Sequence, residues 1–137
     1  MNVILAPDVY INASVALGSA PDQVVQRVLG KHKGESKTTE WILGRIRGML
    51  SALPAFKKEA VDAQIDLIRG FVQVVEDPSK HGPDAWVPAL VAAARAAGVK
   101  RVITDHPDIA DKTEVDGVEF LSSEAWLLEL TMPPPPP

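Results

Sequence analysis

The chain has 137 residues, with 14 Lys and Arg against 18 Asp and Glu and a formal net charge of -4, so it has no whole-molecule attraction for nucleic acid and any phosphate contact has to be local. Hydrophobic residues at 46% and charged residues at 23% describe one globular domain, long enough to bury a core without staples. With no cysteine, a disulfide framework and thiol chemistry are excluded.

Residues 2–6 form a short apolar run closed by Pro7-Asp8, which predicts a buried strand. Pro21-Asp22 opens a helix through Val24, Val25, Val28 and Leu29, since proline suits the first helical position and acids suit the positive helix end; Gly30 closes it. Residues 31–37 read as a solvated loop. Thr38 or Thr39 can cap a helix carrying Trp41, Ile42, Ile46, Met49, Leu50 and Leu53, which Pro54 stops. Residues 56–69 align Phe56, Val61, Ile65 and Ile68 on another helix, and residues 71–75 read as a strand. After a loop over 77–83, Pro88 fits only the first turn of an Ala-rich helix, which is therefore expected to begin near Asp84 and to end at Gly98. Residues 99–104 and 118–121 are expected strands, and Ser122 or Ser123 can cap a last helix with Trp126, Leu127 and Leu130.

This alternation predicts an α/β fold, a three-layer α/β/α sandwich around a mainly parallel central sheet. Residues 1–131 make the expected domain, and residues 132–137 an extended, disordered proline tail. No basic stretch precedes an apolar segment at the amino terminus, and no apolar run approaches the roughly 20 residues of a membrane span, so a cytoplasmic protein without membrane contact is expected.

Acids stand where these elements start or end: Asp8 after the first strand, Asp84 before the Ala-rich helix, and Asp105 and Asp108 after the run Arg101-Val-Ile-Thr104. Strand ends of an open parallel sheet converge on one crevice. Carboxylates gathered there repel one another unless a hard cation such as Mg²⁺ or Mn²⁺ neutralises them, so Asp8, Asp84, Asp105 and Asp108 are the expected metal set. Each has an ordinary alternative: Asp8 as a turn residue, Asp84 as an N-cap, Asp105 or Asp108 capping a short turn, and Glu40 as a first-turn acid serving the helix dipole. His32, His81 and His106 lie in expected loops without zinc-ligand spacing. Asn12 and Ser14 could bond a metal-bound water or a phosphate, or serve a turn. Gly44 and Gly48 leave a groove that suits internal packing, a homo-oligomer or a partner helix. Lys31, Lys33, Lys37, Arg45 and Arg47 form the richest basic region, either a solvated face or a phosphate contact.

The order strand-Asp8, paired central helices, Asp84-led Ala-rich helix, Val-Ile-Thr104-Asp105-His-Pro-Asp108 and Gly117-Val-Glu-Phe-Leu-Ser122 resembles a PIN domain, over nearly the whole chain up to the proline tail. The resemblance implies a metal-dependent endoribonuclease using Mg²⁺ or Mn²⁺ on single-stranded RNA, a class with many toxins of toxin–antitoxin pairs and hence an antitoxin-like partner. It places Asp8 at the first metal-binding acid and Asp84 at the third. Asp105 stands at the fourth with one departure: the family often sets one residue between the Thr and the acid, which would put His106 there and leave Asp105 or Asp108 to compensate. The second acid usually follows an Ile-Leu dipeptide, yet here Ile42-Leu43 precedes Gly44-Arg45, and Glu40 is the nearest carboxylate, about one turn early. Asp8, Glu40, Asp84 and Asp105 are thus the expected catalytic set, with Glu40 orienting water. The competing class is a PIN-like module that has lost hydrolysis and works by binding nucleic acid or a protein partner. An aspartyl-phosphate hydrolase is set aside because Asp8 is followed by Val9-Tyr10 rather than by an acid two residues on.

Overall fold

The computed structural model describes residues 3–31, 36–109 and 111–131. Strands are β1 (Ile4–Leu5), β2 (Lys37–Thr38), β3 (Gln73–Val74), β4 (Arg101–Ile103), β5 (Thr113–Val115) and β6 (Val118–Leu121). Helices are α1 (Pro7–Val15), α2 (Ala20–Gln26), α3 (Glu40–Ser51), α4 (Lys58–Phe71), α5 (Trp86–Ala97) and α6 (Ser123–Thr131), with a π-turn, Arg27–Lys31, closing α2. The strands form one sheet in the order β3-β2-β1-β4-β6-β5, parallel throughout except for β5, which pairs antiparallel with β6.

Successive residues in a strand point to opposite faces, so consecutive buried residues require cover on both sides. Val3 to Ala6, Val102-Ile103 and Phe120-Leu121 are all buried in sequence. This is the three-layer α/β/α arrangement expected from the alternation. Helix α5 packs on β1, β2 and β4, whereas α1 meets α2 and α3, α3 meets α4, and α2 meets α6. Val61, Ile65 and Ile68 are the buried positions of α4, spaced as one helical stripe.

Several boundaries depart from the sequence expectations for local reasons. Pro7 sits at the first position of a helix rather than ending a strand before a turn, so Asp8 lies in the first turn of α1, an element missed in the sequence. The strand expected over residues 71–75 is only Gln73–Val74, because α4 runs on to Phe71. Ser19 caps α2, and Gly30 falls inside the π-turn instead of stopping the helix. Thr39 is the cap of α3, accepting the Ile42 N–H at 3.3 Å. Asp84 is not a cap: α5 begins at Trp86 behind Ala85, with Pro88 in its first turn as expected. Gly98 ends α5 in the left-handed region at φ 70°. Strand β5 was not foreseen either; Asp116 and Gly117 turn it into β6, both at positive φ. The expected loop over residues 31–37 falls largely outside the described residues, with Lys33 and His32 in it, as does the proline tail. No helix among the described residues is long and apolar enough to cross a membrane.

Candidate functional site: the strand-end crevice

The chain leaves β1 toward β2 on one side and β1 is joined by β4 on the other, so the carboxyl ends of β1 and β4 flank the point where strand order reverses. Pro7 fixes the entry of α1 directly behind β1, and this points the side chain of Asp8 at Thr104, the residue after β4. Asp8 is 7% exposed. Its Oδ1 accepts the Thr104 hydroxyl and its Oδ2 accepts the Asp105 N–H, both at 2.7 Å. Burial pushes the Asp8 carboxyl above the usual range, and the two hydrogen bonds pull the other way without cancelling it.

Asp105 turns from this pair toward α6. Its Oδ1 accepts the Ser123 N–H at 2.8 Å and its Oδ2 accepts the Ser123 hydroxyl. The Thr104 Oγ1 also accepts the His106 N–H at 3.2 Å, and His106 Nδ1 accepts the Asp108 N–H at 3.1 Å, which leaves that ring nitrogen unprotonated. Residues 104–108 are therefore wound on their own side chains.

Asp84 and Asp108 line a cleft of about 370 Å³ together with Trp86, Val87, Pro88, His106 and Ile109. One wall of that cleft is aromatic. The Trp86 ring lies 4.8 Å from His106, and Trp41 meets Trp86 edge-on at 5.9 Å while donating its indole N–H to the Gly82 carbonyl at 3.0 Å. These rings come from α3, α5 and the loop after β4, so no local spacing in the sequence announces them. Glu40 has a partner of its own. It is exposed at the start of α3 and takes both nitrogens of Arg69, at 2.8 and 2.9 Å, and this guanidinium holds the Glu40 carboxyl below its usual range.

The structure thus brings Asp8 and Asp105 together through Thr104, sets Asp84 and Asp108 in the cleft beside His106, and pairs Glu40 with Arg69. As arranged, this donor set does not fit a hard cation. Both oxygens of Asp8, Glu40 and Asp105 face protein donors, and no group of three or more His, Asp or Glu side chains among the described residues is placed to hold a metal ion. Arg45, which follows the Ile42-Leu43 pair where an acid was sought, is half-buried with an Nε that lacks a hydrogen-bond partner among the described residues. Gly44 and Gly48 are exposed on α3; a Cβ at Gly44 would meet open space, and one at Gly48 only the tip of Arg45.

A second surface was not legible in the sequence. Val15, Leu17 and Leu67 are 55%, 87% and 49% exposed. Leu17 and Leu67 rim a groove of about 240 Å³ between α1, α2 and α4, with Tyr10, Ala13, Val25, Leu29 and Leu50 in its lining.

No family model matches the sequence, and no curated protein matches it. Among solved structures, the chain is similar to one described as VapBC2 from Rickettsia felis bound to a DNA fragment from their promoter. The likeness has a TM-score of 0.63 at 11% identity and covers 89% of this chain and 98% of that one. It is a likeness of fold alone, consistent with the mixed α/β architecture and mostly parallel sheet of this chain.

Proposed function

We propose that this chain is a PIN-like module that works by binding a protein partner. The observation that supports the reading is the groove at Leu17. Large apolar side chains exposed singly are ordinary, but two that rim one apolar concavity, with Val15 exposed on the same helix end, are the surface that a partner covers. Among the described residues no Lys or Arg lines that groove and Asp22 is its one charged residue, so its chemistry suits an apolar helix face better than a phosphodiester. The crevice supports the same reading from the other side. Cleavage of single-stranded RNA through Mg²⁺ or Mn²⁺ needs acids gathered to hold the ion, and no group of three or more His, Asp or Glu side chains among the described residues is so placed.

The test compares the wild type with a Leu17→Ser/Leu67→Ser double variant. A protein captured by the wild-type chain is identified, purified and titrated calorimetrically against both. The expected result is binding with a negative heat-capacity change in the wild type and its loss in the double variant, whose thermal unfolding stays close to that of the wild type. Equal binding by both variants, or Mn²⁺-dependent RNA cleavage by the purified wild type that Asp8→Asn abolishes, refutes the proposal.

A further inference from the structure

The carboxylates at the end of β1 and β4 sit where an ion would be sought, yet each is already matched with donors. We infer that Asp8 and Asp105 act in this chain as structural acceptors that clasp the N-terminus of α6 to the strand ends, in place of holding a hard cation.

The first N–H groups of any helix have no partner within the helix, and the peptide dipoles leave that end positive. At the start of α6 three of these groups are met by side chains. Asp111 accepts the Ser122 N–H at 2.8 Å, Asp105 accepts the Ser123 N–H at 2.8 Å, and the Ser122 hydroxyl accepts the Ala125 N–H at 3.1 Å. Asp105 takes the Ser123 hydroxyl as well, and Ser123 is fully buried. The helix end supplies donors and positive potential, which is what a bound cation would otherwise supply to the acid. The backbone of Asp105 then donates to Asp8, whose other oxygen takes Thr104. One continuous chain of hydrogen bonds runs from the start of α1 through the end of β4 to the start of α6, and Ser123, Thr104 and Asp8 in it are shielded from water. A cation entering between Asp8 and Asp105 would compete with Thr104, the Asp105 N–H and Ser123 for the same carboxylate oxygens.

Hydrogen exchange and metal titration together decide the matter. Asp105→Ala is expected to lower the protection of the Ser123 and Ala125 amides by about tenfold or more while amides of β1 to β3 keep theirs. Asp105→Asn is expected to keep protection near the wild-type level, since its carbonyl can accept the Ser123 N–H and its amide can donate to the Ser123 hydroxyl. Should Asp105→Ala fail to fold, Ser123→Ala, which retains the N–H and loses the hydroxyl, is expected to show a smaller loss in the same amides. Millimolar Mn²⁺ is expected to leave the melting temperature of the wild type unchanged. The inference is overturned if Mn²⁺ raises that temperature and Asp8→Asn removes the rise. It is equally overturned if neither alanine variant alters exchange in α6. Neither outcome bears on the groove at Leu17.

Discussion

Asp8 offers a sharp test of how the crevice is held, because alanine and asparagine perturb it in opposite ways. Asp8→Ala leaves the Thr104 hydroxyl and the Asp105 N–H without their acceptor in a buried site. An orphaned buried donor costs about 1–3 kcal/mol, so the loss for the pair, reduced by no longer burying a carboxylate, is about 2–4 kcal/mol at neutral pH. Asp8→Asn keeps both contacts: its carbonyl accepts the Asp105 N–H, and its amide donates to Thr104 once that hydroxyl turns round. The linkage follows from the direction of the shift. The folded Asp8 pKa is raised above 3.8 by burial, so the folded state binds this proton more readily than the unfolded chain. What Asp8 contributes to stability is therefore fully present below the unfolded value, is lost as pH rises through the folded value, and is level above it. Asp8→Asn should match or exceed the wild type at neutral pH and lose that advantage in acid. Urea denaturation reads this directly, since about 2–4 kcal/mol moves the midpoint by roughly 1–2 M for a domain of this size. An alanine variant as stable as the wild type, or an asparagine variant as damaged as alanine at neutral pH, would refute the reasoning.

Gly98 ends α5 at φ 70°, with open space where a Cβ would lie, so Gly98→Ala should cost about 1–2 kcal/mol from backbone conformation alone, measurable as a lowered urea midpoint with an unchanged slope. Glu40 and Arg69 are an exposed pair, and Arg69 lowers the Glu40 pKa, so any stabilisation is present above the unfolded Glu pKa and is lost as pH falls through the folded value. Glu40→Gln should therefore change neutral-pH stability little, with a difference that vanishes in about 0.5 M NaCl; a large, salt-insensitive loss would show that Glu40 has another role.

The parts of the fold legible in the sequence are those where a single residue dictates the backbone. Pro88 and Gly98 bracket α5, and Thr39 and Ser122 cap α3 and α6, each as its side chain or ring demands. The apolar runs at Ile4, Val102 and Phe120 are buried on both faces, as unbroken hydrophobicity requires. Strand β5 escaped notice because Thr113–Val115 carries no apolar alternation and owes its conformation to pairing with β6. Helix α1 escaped because Pro7 serves as well before a turn as at the start of a helix. At the crevice, the sequence placed Asp8 and Asp105 at element ends, which is where they lie. It had no means of showing that Ser123 and Arg69, 18 and 29 positions away from Asp105 and Glu40, would take up the carboxylates. The aromatic cluster of Trp41, Trp86 and His106 was equally hidden, since its members are brought together only by packing.

The central place of β1 has a consequence for how the chain is born. Ile4 and Leu5 pair with Val102 and Ile103, and the hydrogen bond that seals the junction joins residues 96 positions apart. On a ribosome adding about 5–20 residues per second, the first strand waits roughly 5–20 s for the neighbour that completes it. During that interval its edge toward β4 lacks its native cover, and the register between the two strands can be fixed only after Val102 and Ile103 have emerged. Completion of this part of the sheet is thereby held back until β4 has been made, and the wait lengthens wherever translation slows before the codon for Val102.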